Sequence, residues 1–140
     1  MSNLEITKTI EINSSKDRVY DALINSDEIL NYFPLEQVIS TWKVGDPIKY
    51  IGGQSGVDEG VIDVLDNNKC FQFTYWNTNH GTENKKENHI TITYSLSGEK
   101  SHTILKLKQS NIPSEQYLKI MNSVWDDLIN RLKQYVESHT

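Results

Sequence analysis

Four histidines, one cysteine and a run of carboxylates are the residues of this 140-residue chain whose types suit catalysis or metal binding. His80, His89, His102 and His139 are scattered over turns, a strand start, a turn exit and the C-terminus. No pair has a His-x-x-x-His spacing that would set two imidazoles on one helix face, and a lone cysteine cannot build a thiolate site. His80, in NTNHGTEN, reads as a solvated loop residue and His139 as part of a frayed tail. Cys70 has no basic neighbour in sequence and reads as an inert thiol rather than a nucleophile. No catalytic residue, no metal site and no cofactor are therefore expected. Asp58, Glu59, Asp63 and Asp66 fall within nine positions. Asp63 alternates with Ile62 and Val64, which assigns it to solvent; an inward carboxylate in this segment would have a raised pKa and suit general acid–base work. The glycines of GGQSGVDEG lack a following helix and a lysine, so they are not a phosphate loop. They read as a mobile hairpin turn able to gate a cavity.

The second chemistry on offer is apolar recognition. Tyr117, Met121, Trp125 and Leu128 share the apolar stripe of the last segment. Leu128 reads as core, whereas Tyr117, Met121 and Trp125 divide evenly between packing and lining a cavity with large, soft walls. Ile92 and Tyr94 lie on one strand face with Ile90 and Leu96, and Leu105 and Leu107 point inward while Lys106 and Lys108 point to solvent. Phe71, Phe73 and Tyr75 alternate with Cys70, Thr74 and Trp76, and since both sets contain apolar groups, periodicity does not say which faces inward. Phe73 and Trp76 are both kept as wall candidates. Trp42 ends one strand and Tyr50 sits in the next, so both can stand at a cavity mouth, with plain packing as the competing reading.

These residues need elements to position them. Leu4 to Ile12 alternate as a half-buried strand, with Lys8 breaking the apolar side near an edge. In NSSKDRVYDALINSDEILNYF, Ser14 or Ser15 caps a helix with Asp17 in its first turn, and Asn25-Ser26-Asp27 caps a second, short one that Pro34 stops. Six β-rich runs follow, at 38–42, 48–51, 57–65, 70–76, 89–96 and 103–109, separated by turn chemistry that includes Ser97-Gly98-Glu99-Lys100. Connections this short require antiparallel pairing. Pro113 and Ser114 or Glu115 open a long amphipathic helix through Val136. The expected fold class is α+β: about seven antiparallel strands in a curved sheet, two short helices after the first strand, and a long C-terminal helix across one face.

Length and composition narrow the function classes. The chain is expected to be one domain, residues 1–140, with 36% hydrophobic and 24% charged residues, as in ordinary globular chains. A net charge of −5 without a basic stripe argues against nucleic acid as partner. The start, MSNLEITKTIEINSS, has no signal-peptide pattern, and no run approaches the ~20 apolar residues of a membrane span. One cysteine allows no internal disulfide, so a cytoplasmic protein is expected.

Five stretches in order carry a family resemblance: NSSKDRVYDALINSDEILNYF, WKVGDPIKY, EGVIDVLDNNKCFQFTYW, ITITYSLSGEKSHTILKLKQSN and VWDDLINRLKQYV. Together they resemble START-like (SRPBCC, birch-pollen-allergen-like) proteins of the helix-grip fold, in the branch of the activator of heat-shock-protein ATPase (AHSA-type, C-terminal domain). The resemblance covers nearly the whole chain. It departs at Val124, where a glycine commonly precedes the tryptophan and which would narrow the space beside the helix, and at Tyr20, where tryptophan is frequent. What it implies is a cavity between sheet and last helix that holds a small apolar or aromatic molecule: a lipid, sterol, polyketide or flavonoid-like compound. It also implies a rival function, a protein-interaction module with a heat-shock chaperone as partner, acting like a co-chaperone or stress-response protein. A third reading, a cyclase or hydrolase, requires an inward Asp or Glu.

Overall fold

The structure is a computed structural model and describes residues 2–53 and 56–139. Its elements run β1 (Ile6–Ile12), α1 (Lys16–Leu23), α2 (Ser26–Ile29), β2 (Gln37–Ser40), β3 (Pro47–Ile51), β4 (Val57–Asp66), β5 (Cys70–Trp76), β6 (Ile90–Glu99), β7 (His102–Ser110) and α3 (Glu115–Ser138). All seven strands pair antiparallel in one sheet of order β1-β7-β6-β5-β4-β3-β2. The first and second strands thus form opposite edges, and α1 and α2 carry the chain between them. The fold is α+β, with the long C-terminal helix packed on the sheet.

Local chemistry explains each helix boundary. Ser15 accepts the Arg18 N–H at 3.2 Å to start α1, and Asn25 accepts the N–H groups of Asp27 and Glu28 to start α2. Ser114 accepts the Tyr117 N–H at 3.1 Å, so Pro113 precedes the cap instead of lying in the first turn of α3. Three strand limits differ from expectation by two residues or more. β1 begins at Ile6, although the Leu4 carbonyl still accepts the Ile112 N–H at 3.2 Å. β2 ends at Ser40 because Trp42 adopts a left-handed conformation, φ 56°. β6 runs through Gly98 and Glu99, which moves the turn to Lys100 and Ser101.

Burial alternates along the central strands as the pleat demands. Ile90, Ile92, Tyr94 and Leu96 are buried, and β5 buries Phe71, Phe73 and Tyr75, settling the face that periodicity left open. The core joins these residues to Leu105 and Leu107 of β7, to Val19 and Leu23 of α1, and to Trp125, Leu128, Leu132 and Val136 of α3. Lys8 lies on edge strand β1, inward but half-buried, with its ammonium 2.9 Å from Asp126 of α3.

The sheet bends where β4 and β5 press together. Register slips between Ile62 and Val64, a β-bulge, and Gly60 sits so close to β5 that a Cβ there would stand 1.6 Å from the Thr74 carbonyl oxygen. Backbone cannot yield as a flexible side chain would. Gly60→Ala is expected to destabilise the protein by about 3 kcal/mol or to prevent folding, measured by urea denaturation against wild type.

Candidate functional site

A cavity of about 310 Å³ lies between strands β3 to β6 and the first half of α3. Tyr50, Phe73, Ile92 and Tyr94 form its sheet wall, and Tyr117, Met121 and Trp125 its helix wall. Phe33, Pro34, Leu35, Ile120 and Val124 rim the opening, with Ile120 and Val124 exposed. The rings pack as a ladder. Tyr50 stacks on Phe73 at 5.4 Å between centroids, Phe73 on Phe71 at 5.1 Å, and Phe71 on Tyr94 at 5.9 Å; Trp125 meets Tyr94 edge-on at 6.2 Å.

A buried polar chain holds the helix at this distance from the sheet. The Trp125 indole donates to Gln109 Oε1 at 2.7 Å, Gln109 Nε2 donates to the Tyr75 hydroxyl at 2.9 Å, and the Tyr75 and Tyr117 hydroxyls meet at 3.1 Å. Two tyrosines touching tip to tip keep strand and helix two side-chain lengths apart, which leaves the space beside them open. By contrast, the hydroxyls of Tyr50 and Tyr94, two otherwise buried residues of the cavity wall, stay accessible and make no hydrogen bond among the described residues. Burial raises both phenols above their ordinary range and lifts Tyr117 to about 12, so all three stay neutral donors and acceptors.

One carboxylate faces the cavity. Asp58 on β4 is the register partner of Tyr50 and accepts a hydrogen bond from Asn77 Nδ2 at 2.7 Å through Oδ1. Burial pushes this carboxyl from 3.8 up to about 6, against the opposing pull of the Asn77 donor. The sequence did contain a signal for this residue, since Asp58, Gly60 and the buried Ile62 share one parity on β4. Asp63, which is exposed as expected, lies at the bulge and on the opposite parity, so its exposure does not report the side of Asp58.

His80 corrects a second expectation. It is buried, not solvated, because the short 3-10 turn Thr78–His80 folds its ring against Tyr75 and Tyr117 at 5.4 and 4.9 Å. Its Nδ1 accepts the Asn77 N–H at 3.4 Å, which puts the proton on Nε2, and that atom has no hydrogen-bond partner. Burial lowers the imidazole to about 4, so it is neutral at physiological pH.

Four expected wall residues lie elsewhere. Trp42 packs on Phe71 at 5.8 Å and donates its indole N–H to Ser26, closing the sheet end over α2. Trp76 is on the opposite sheet face from Phe73 and Tyr75, bonded to Thr82, because successive side chains alternate. Leu105 and Leu107 point inward but are fully buried on β7, next to the edge strand that α3 contacts, so they belong to solid core. Gly56 borders the cavity, whereas Gln54 and Ser55 of the expected gating turn lie outside the described residues. Among the described residues no three His, Cys, Asp or Glu side chains converge on a metal position, and no helix is long and apolar enough to cross a membrane.

Two measurements check this geometry. Gln109→Leu strands the Trp125 N–H and is expected to cost about 1–3 kcal/mol in urea denaturation, with a shifted Trp125 indole resonance. Asp58 binds its proton more tightly folded than unfolded, so the stability it contributes is complete below pH 3.8 and is lost as pH rises through about 6. Asp58→Asn should therefore exceed wild type by roughly 2–3 kcal/mol at neutral pH, the gap closing in acid; a pH-independent gap contradicts the burial of this carboxyl.

Comparison with known proteins places this geometry. The family described as Activator of Hsp90 ATPase homolog 1-like protein (AHSA1) matches residues 13–137. None of the curated proteins matches the chain. In fold the chain is similar to a protein of Mesorhizobium loti, with TM-score 0.84, 14% identity, and 98% of this chain and 99% of that one covered. It is similar to the Aha1 dimer of Colwellia psychrerythraea, with TM-score 0.81, 20% identity and 96% of each chain covered. It is also similar to a Cytophaga hutchinsonii protein solved in solution, with TM-score 0.81, 26% identity, and 99% of this chain and 98% of that one covered. With strand order, grip helix and family match agreeing over nearly its whole length, the chain belongs to the Activator of Hsp90 ATPase homolog 1-like family of the SRPBCC superfamily.

Proposed function

We propose that this protein is a non-enzymatic binding module, cytoplasmic in setting, that holds a small apolar or aromatic molecule between sheet and α3. The observation that carries the reading is the ring-lined cavity with the hydroxyls of two wall residues, Tyr50 and Tyr94, accessible and without a hydrogen bond among the described residues. A few polar groups that open into an apolar cavity with their hydrogen-bonding capacity unused mark where a ligand's polar atoms would sit. The volume, about 310 Å³, is at the small end of the ligand-pocket range, which favours a compact polyketide or flavonoid-like body over a full-length lipid. Asp58 meets the condition of an inward acid that a cyclase or hydrolase requires, but among the described wall residues there is no second carboxylate and no Ser, Thr, Cys, Lys or His to work with it, which favours binding.

Family membership supports a second reading, a co-chaperone-like module working on a heat-shock ATPase through its outer surface. The two separate cleanly. Amide NMR titration with sterols, fatty acids, flavonoids and polyketides is expected to give saturable shifts on Tyr94, Met121 and Trp125 for at least one class. Met121→Trp, which fills the cavity, and Tyr94→Ala should each weaken that ligand by about tenfold or more, whereas Lys106→Ala on the outer face should not. Equal effects from all three, or a changed rate of the purified heat-shock ATPase without any ligand shift, would move function to the surface.

A further inference from the structure

The cavity has a chemical asymmetry that a generic apolar site lacks. Seven of its seventeen lining residues are aromatic, one is an acid, and among them there is no lysine, arginine or histidine. The acid, Asp58, takes part in no ion pair of the described residues. Its Oδ1 is held by Asn77, and its Oδ2 has no hydrogen-bond partner among the described residues. Around it stand the Tyr50 hydroxyl, its partner across β3 and β4, and the Tyr75–Tyr117 hydroxyl pair, whose phenols its charge raises. All of these offer lone pairs, and the rings offer negative π-faces.

We propose that the ligand is an organic cation, an aromatic or alicyclic amine whose ammonium group meets Asp58 while its apolar body lies among Phe73, Tyr94, Met121 and Trp125. This rests on the cavity being the working site. A carboxylate in an apolar cavity is uncompensated unless a positive charge joins it. An ammonium supplies that charge, gives hydrogen-bond donors to Oδ2 and the tyrosine oxygens, and is attracted by the surrounding ring faces. A neutral hydroxyl would satisfy Oδ2 but leave the charge unbalanced. An anionic ligand would be repelled by it.

Three compounds with one body and different heads test the idea: 1-naphthylmethylamine, 1-naphthylmethanol and 1-naphthoate, titrated at neutral pH by calorimetry and by the Trp125 indole NMR signal. The amine is expected to bind at one saturable site about tenfold or more tighter than the alcohol, and the carboxylate not at all. Asp58→Asn, nearly isosteric, should bring the amine-to-alcohol affinity ratio down from about tenfold to about one. If the alcohol equals or exceeds the amine, or if Asp58→Asn keeps the preference, the cation assignment falls while the cavity reading stands. If none of the three moves the Trp125 signal, both fall. The wild-type ranking decides even where the variant does not fold.

Discussion

The hydrogen bond from the Trp125 indole to Gln109, at 2.7 Å, fixes how α3 crosses the sheet, and the cavity depends on that crossing. A 24-residue helix laid over a curved sheet cannot touch it equally along its whole length. The C-terminal half of α3 buries Leu128, Ile129, Leu132 and Val136 in direct apolar contact with the core. The N-terminal half meets the sheet through Trp125, Gln109, Tyr75 and Tyr117, a polar chain with every link satisfied. Such a chain specifies a distance and a rotation, where apolar contact alone would tolerate sliding. It also tethers the helix without filling the space beside it.

The rest of the clamp is weaker and mostly at the margins. Lys8 reaches Asp126 at 2.9 Å, Lys133 bridges the Glu11 carbonyl and Glu137, and Tyr135 donates to Glu28, which also binds Arg18. Exposed or half-exposed pairs of this kind each contribute about 0–1 kcal/mol. They steer the helix ends; the apolar burial of its C-terminal half supplies the holding energy. The Thr103 hydroxyl, buried and bonded to the Ser14 carbonyl at 2.7 Å, joins the sheet to the segment entering α1 in the same satisfied manner as Gln109.

Against that background the departures lie on or just behind the cavity wall. On the cavity wall the Tyr50 and Tyr94 hydroxyls make no hydrogen bond among the described residues and Asp58 keeps a carboxyl that burial makes costly to ionise, while behind the wall His80, packed on Tyr75 and Tyr117, keeps a buried Nε2 without a partner. Elsewhere the interior follows the rule that buried polar groups are paired, so these exceptions are not general looseness of the fold. Sequences that break local rules do so mainly at functional positions, where a ligand completes what the protein leaves open.

The sequence by itself determined the architecture. Alternation in β1, β6 and β7, the serine and asparagine caps, the short turns and the long stripe from Tyr117 to Val136 each point to one element in one order, because these signals are local and their periods differ. It also offered Tyr50, Phe73, Ile92, Tyr94, Tyr117, Met121 and Trp125 as candidates, and these residues stand around one cavity, four on the sheet and three on α3. Only the tertiary structure decided the rest. The face of β5 was undetermined because both faces carry apolar groups, and the choice rests on which side α3 covers. Asp58 turns inward on the parity of the buried Ile62, which the mixed polar and apolar run of β4 does not mark out, and His80 is buried because a tight turn folds it back on Tyr75 and under Tyr117 of α3. Leu105 and Leu107 face the same side as Tyr94 yet lie in solid core, since a strand pattern reports a face and not how far the covering helix stands from it. That distance is set by three side chains from β5, β7 and α3 meeting in space, and no local period encodes it.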